Sequence, residues 1–302
     1  MTKLNNNFKD RAFNKTLCYM LMIAPFLLCF TVLLVFPIIS SVALSFTDFD
    51  MISLPKFAGF DNYIRMIIKD EVFLKTVTNT IVFSVITGPT GFLLSFVLAW
   101  FINDFHPTIR NILSFMIYCP ALAGNANFIW QIAFSSDSYG YINSILLSMN
   151  LINEPIAWLK DSTYTMGIII FVQLWQSMGV SFLANISGLQ NVNDELYEAG
   201  AIDGIRNRWQ ELWFITLPVM KHILLFSAVM QIASSFSVGA LAVTFAGYPS
   251  VDNSVDFIVT YLSDAGTVRY EMGYASAISV FLFALMLLSR ELISKLLNKA
   301  GK

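Results

Sequence analysis

The chain has 302 residues, of which 56% are hydrophobic and only 13% charged. Soluble domains carry about a quarter charged residues, so this composition excludes one and makes the bilayer the solvent. A formal charge of -2, with no basic cluster, gives no footprint for nucleic acid.

A short basic head, Met1 to Lys15, precedes six uncharged windows: Thr16 to Thr47, Thr76 to Asn103, Asn111 to Ser136, Ser162 to Asn193, His222 to Val251, and Met272 to Ser289. Each is at or near the roughly 20 residues that a spanning helix needs, and a charge near the midplane would cost a few kcal/mol. The expectation is an all-α membrane protein with six transmembrane helices, approximately 17–45, 76–102, 112–134, 164–188, 218–245 and 272–290. The apolar core of the first, Leu17 to Leu44, exceeds the roughly 7 to 15 residues of a secretory signal, so a retained helix is expected. Pro25 and Pro37 are tolerable in it because neighbouring helices can satisfy the freed carbonyls. Cys18, Cys29 and Cys119 all fall in apolar windows without a C-x-x-C pair and read as buried, inert thiols.

The segment Asp48 to Lys75 reads as a solvated connection ending in a surface helix. Gly88, Pro89 and Gly91 lie near the middle of the second helix, where they would either break it to offer backbone to a ligand or kink it for packing. Asn103 to Arg110 reads as a tight turn, and Ser138 to Asn153, too short to span, as an amphipathic surface segment. After the fourth window comes a polar interlude, Glu195 to Pro218, ELYEAGAIDGIRNRWQELWFITLP. Asn193 or Asp194 can cap a short helix with Glu195 in its first turn, Gly204 after Asp203 can stop it, and a second helix is expected from about Arg206. Pro218 then opens the fifth helix, where its missing N–H does no harm.

Orientation follows from the cations. Twelve of the 18 Lys and Arg residues fall on the side shared by the termini and the 195–218 interlude, including Arg110, Arg206, Arg208 and Lys221. Such a bias places both termini and the interlude in the cytoplasm.

Glu198, Ala199, Gly200 and Gly204, followed by Ile215, Leu217 and Pro218, resemble the EAA loop of the membrane subunits of bacterial ABC importers. GFDNYIRMIIKDEVFLKTVTNT (Gly59 to Thr80), GYINSILLSMNLINEPIAWLKD (Gly140 to Asp161) and MGYASA (Met272 to Ala277) are similar to further segments of carbohydrate permeases of the maltose, multiple-sugar and glycerol-3-phosphate type. The likeness runs from about residue 18 to residue 290. Two departures stand out: Gly200 replaces the usual second Ala, and Ser237 and Val238 occupy the place of a frequent aromatic-acidic pair.

The resemblance implies a single importer transmembrane domain over 1–302, with a coupling loop at 194–217 between helices four and five. Glu198, Ala199, Gly200, Asp203, Gly204, Arg206 and Pro218 would belong to that loop, seated on a cytoplasmic ATPase, with Glu198 facing a basic group. Implied partners are a second homologous permease, an ABC ATPase dimer, an extracytoplasmic solute-binding protein, a carbohydrate and membrane lipid, all at a bacterial cytoplasmic membrane. The chain has no G-x-x-x-x-G-K-[ST], so it binds no cofactor itself, and ATP with Mg would reside on the separate ATPase.

A neutral sugar needs amides, hydroxyls and an aromatic face. Gln173, Ser177 and Ser181 share one face of the fourth helix, beside Gln176, and Ser227, Gln231, Ser234 and Ser235 form a stripe on the fifth. Trp130 and Trp175 are stacking candidates. The alternative for these groups is hydrogen bonding between helices. Two other functions compete with import driven by ATP. An ion-coupled secondary transporter would be expected to carry intramembrane charges, which the six windows lack. A membrane enzyme would need a catalytic cluster, yet the only histidines are His106 and His222.

Overall fold

The computed structural model describes residues 19–124 and 126–300, with side chains as far as residue 295. The basic head and Cys18 lie outside the described residues. The principal helices are α1 (Tyr19–Leu44), α2 (Glu71–Asn103), α3 (Pro107–Leu122), α4 (Asn127–Ala133), α5 (Tyr141–Ser148), α6 (Ser162–Gln190), α7 (Asp194–Ile202), α8 (Arg208–Glu211), α9 (Lys221–Phe236), α10 (Gly239–Ala246) and α11 (Met272–Ala300). Among the described residues, five helices are long and apolar enough to cross a membrane: α1, α2, α6, α9 joined with α10, and α11.

The expected third span is not one straight helix. α3 and α4 meet at 81°. Pro120 lies inside α3 and cannot donate to the helical ladder, and the chain turns extended at Ala123 (φ -82°, ψ 92°). The Gly88-Pro89-Gly91 stretch does the opposite of breaking, since α2 runs continuously over 33 residues through Pro89.

By internal contacts the chain divides into two compact units. One comprises the residues up to Ile64 with Ala265–Val280. Here a short antiparallel pair, β1 (Thr47–Asp48) and β2 (Lys56–Phe57), follows α1. The Asn62 side chain donates to the carbonyls of Ser45 and Thr47 at 3.0 and 2.9 Å, while Tyr63 Oη donates to Ser45 Oγ at 2.8 Å. The motif Gly59 to Tyr63 is therefore a staple on the end of α1. Within α1, Thr31–Val35 widens into a π-helical stretch just before Pro37, an adjustment that redistributes the carbonyls a proline leaves without donors.

The second unit, Arg65–Asp264 with Phe281 onward, packs α2, α3, α6 and α9 side by side. Asp70 caps α2 by accepting from Phe73 N at 2.9 Å, and Asp161 caps α6 by accepting from Thr163 N at 2.8 Å. One core gathers Phe96, Trp100, Phe182, Ile186, Leu212 and Ile215, and a second gathers Phe83, Ile169, Val172, Leu241 and Phe257. Buried Asn143 organises the connection before α6. Its Nδ2 donates to the Ser135, Asp137 and Ile156 carbonyls, and its Oδ1 accepts from Ile156 N and Trp158 Nε1. All of its capacity goes into fixing this cap.

Cys29 and Cys119 correct the expectation of buried thiols, for both are exposed at the surface of the chain. In a bilayer the outer face of a span is itself apolar, so a position inside an apolar window does not imply protein on every side.

A polar hairpin and a polar seam

The interlude 194–217 folds as a hairpin. Asn193 is the cap of α7, accepting from Glu195 N at 3.2 Å, and Asp194 and Glu195 occupy the first turn, where the dipole favours negative charge. The helix stops at Gly204, whose φ of +96° is costly for a residue with a side chain. Ile205 N donates to Gly200 O and Gly204 N to Ala201 O, the paired bonds of a Schellman ending, with Asp203 at the C-cap. Asn207 caps α8 through Gln210 N at 2.9 Å, so the second helix begins at Arg208 rather than Arg206. Arg206 is exposed and its backbone N donates to Gln210 Oε1.

The faces of α7 differ sharply. Glu195, Glu198, Ala199 and Ile202 are exposed, and Ile202 is 88% accessible. Glu198 has no ion pair among the described residues. Gly200 faces the other way: a Cβ there would stand 2.7 Å from Ile215 Cδ1 and 3.1 Å from Ile205 Cδ1. Its missing side chain lets the hairpin close on itself. Tyr197 Oη and Thr216 Oγ1, 2.9 Å apart, tie the limbs together. Pro218 lies exposed in the short turn of helix Leu217–Val219 before α9.

Sequence reasoning missed the anchor of this hairpin. Arg208 forms an ion pair with Asp104, the C-cap of α2, and its guanidinium carbon lies 4.8 Å from the centroid of the Trp100 ring. Trp209 packs on the same indole at 5.1 Å. The available signal was the Arg-Trp pair directly after a capping Asn.

The second candidate is the seam between α6 and α9, and the two predicted stripes do meet. Gln173 Nε2 donates to Ser234 Oγ at 3.1 Å, Gln231 Nε2 donates to Ser177 Oγ at 2.6 Å, and Ser181 Oγ donates to Gln231 Oε1 at 3.2 Å. Ser235 Oγ turns back to Ile232 O at 2.8 Å. Gln173, Ser181, Gln231 and Ser235 are buried. Gln231 is also wedged into a notch in α2, where a Cβ on Gly91 would fall 2.0 Å from its Nε2. Ser95 Oγ and Asn185 Nδ2, 3.2 Å apart, add a link between α2 and α6.

Gln176 and Trp130 stand apart from this seam. Gln176 is partly exposed, and among the described residues its amide has no hydrogen-bond partner. The indole of Trp130 meets Trp175 edge to face at 5.5 Å and Phe171 at 5.0 Å, while its Nε1 has no partner. No group of three or more His, Cys, Asp or Glu residues suited to a metal ion occurs among the described residues.

The apolar helices long enough to span a bilayer define a multi-pass membrane protein. Comparison with protein-family models gives no match. The arabinooligosaccharides transport system permease protein AraP of Bacillus subtilis is 30% identical over 287 residues, covering 93% of this chain and 89% of that protein. The lactose transport system permease protein LacF of Rhizobium radiobacter is 30% identical over 69% of each chain. The fold matches the crystal structure of a bacterial ABC transporter involved in the import of the acidic polysaccharide alginate, with a TM-score of 0.77 at 23% identity, covering 98% of this chain and 100% of that one. A second alginate transporter structure, in complex with an alginate pentasaccharide-bound periplasmic protein, gives 0.79 at 22% identity over 97% and 98% of the two chains. The chain belongs to the family of carbohydrate ABC transporter permeases.

Proposed function

We propose that this chain is one of two permease subunits of an ABC importer that moves a neutral sugar or oligosaccharide inward, with hydrolysis of ATP in a separate ATPase dimer. The hairpin 194–217 lies on the cytoplasmic side, as do both termini, and is the part the ATPase grips. An extracytoplasmic solute-binding protein delivers the cargo. ATP and magnesium stay on the ATPase, and this chain binds no cofactor.

The observation that carries the reading is the two-faced α7. Its inner face is locked by Gly200, Tyr197 and the Schellman ending, while Glu198, Ala199 and Ile202 are exposed, with nothing among the described residues covering them. A rigid knob of this kind transmits a push, because its loop cannot absorb the motion. Glu198, Asp203 and Arg206 offer charges to the partner, and Ala199 permits close approach.

For the cargo, free hydrogen-bonding capacity points to the partly exposed Gln176, with the rings of Trp130 and Trp175 as stacking candidates. Gln173 and Ser234, and Gln231 and Ser177, spend theirs on each other, and Ser235 spends its on the Ile232 carbonyl. The six uncharged windows contribute no cation for an acidic group, which supports a neutral sugar.

Uptake of labelled oligosaccharide into vesicles holding the complete complex tests this function. It is expected to stop when the ATPase or ATP is omitted, and Glu198→Lys is expected to abolish it while the permease stays folded. Uptake that persists without ATP and follows a proton gradient would overturn the proposal in favour of an ion-coupled carrier.

A further inference from the structure

Resting on that reading, we propose that Arg208 is a positioning residue for transport: a strut that makes the hairpin and α2 move as one body. The two share an apolar core, where Leu212 and Ile215 meet Phe96 and Trp100, but their polar ends stand apart. A cavity of about 250 Å³ separates the inner side of α7, at Asp194 and Tyr197, from the end of α2, at Asn103 and Asp104. Arg208 also lines this space, and its ion pair to Asp104 bridges it. Each end of the strut is fixed. Asn207 caps the turn that carries Arg208, and Trp100, on which the guanidinium stacks, belongs to the buried core with Phe96 and Phe182.

The chemistry suits a mechanical joint. A cation at the C-terminus of α2 complements the helix dipole and offsets the unfavourable placement of Asp104 there. A planar guanidinium can pair with a carboxylate and stack on an indole at once, which an ammonium does poorly. Beyond Asp104, α2 runs as an unbroken helix for about 20 Å to Gly91, at about 1.5 Å per residue. There Gln231 is wedged against it and bonds to Ser177 and Ser181 of α6. Besides α6 and α9, which the hairpin joins directly, α2 therefore gives a push on the hairpin a further route to the seam, and Arg208 is its polar joint.

The test uses the complete reconstituted complex, with sugar transported per ATP hydrolysed as the readout and co-purification of the ATPase measured alongside. Arg208→Gln is expected to assemble normally and hydrolyse ATP, yet carry about tenfold less sugar per ATP, within the usual range of inter-site coupling. Arg208→Lys should fall between it and the wild type. The exchange Asp104→Arg with Arg208→Asp should recover severalfold over Arg208→Asp alone. A normal ratio for Arg208→Gln would overturn the proposal, as would loss of uptake strictly proportional to loss of ATPase from the complex, which is what a merely structural role produces. A wild-type complex that needs no ATPase would overturn the functional reading itself, an outcome distinct from these.

Discussion

In the seam between α6 and α9, Gln173, Ser177, Ser181, Gln231 and Ser234 turn toward one another, whereas in the hairpin Glu198, Ala199 and Ile202 turn away from the rest of the chain. Both regions draw on polar and small residues, and both looked functional in the sequence. The difference lies in the solvent. Within hydrocarbon an amide without a partner is costly, so polar side chains find each other and hold helices together. At the water boundary a charge needs no partner, so the exposed face of the hairpin is free to dock on another protein. Polar residues inside the membrane therefore suggest packing first, and a locked but unpartnered face outside it suggests docking.

The sharpest way to break this comparison is Gly91→Leu, which places a side chain where Gln231 sits. Overpacking of a filled interior costs roughly 1–3 kcal/mol, and with a Cβ already 2.0 Å from Nε2 the upper end is expected. Thermal unfolding in nanodiscs would read it, and an unchanged Tm would mean that α2 and α9 do not interlock. Gln231→Ala should cost about 1–2 kcal/mol, since two bonds to α6 vanish at roughly 0.6–1 kcal/mol each and a small void is left. The KM for sugar should stay the same. A raised KM at unchanged stability would instead make the seam a binding site. On the hairpin side, Asn193→Ala removes the cap of α7 and should weaken that helix by about 1 kcal/mol, seen as roughly fivefold faster amide exchange over Glu195 to Tyr197.

The smallest effect concerns pH and the loop before residue 258. Burial pushes the Asp256 carboxyl above the ordinary aspartate value of 3.8, against the hydrogen bonds from Ser250 and the nearby Lys75, and Asp264 adds to the push. A raised folded value means that the fold prefers the protonated form. This contribution is fully present below 3.8 and is lost as pH rises through the folded value. Asp256→Asn should flatten a shallow decline in thermal stability above pH 3.8. Asp50 and Asp161, lowered by hydrogen bonds from Ser53 and Thr163, act oppositely: their contribution holds above 3.8 and is lost as pH falls through their folded values.

Much of the fold was legible because its signals are local. Runs without charge set the spans, Asn193 and Gly204 marked the ends of α7, and the period of the polar stripes placed α6 beside α9. Three features escaped. The bend after α3 could be suspected from Pro120 but its 81° could not. Gly200 read as a member of the coupling loop, and its fit against Ile215 of the returning limb was not visible in the sequence. Arg208 looked like one more basic residue of a polar loop until Trp100 and Asp104, a hundred positions earlier, were brought beneath it.

The central claim is that a motor protein grips the outward face of α7, and site-directed cross-linking tests it most directly. In a variant whose native cysteines are replaced by Ser, single cysteines at Ala199, at Ile202 and, as a control, at the highly exposed Tyr139 would be treated with a short bifunctional reagent in the assembled complex. The expected result is a covalent adduct with the ATPase from positions 199 and 202 and none from 139. An adduct from 139 alone, or none from either hairpin position in a complex that still contains the ATPase, would contradict it.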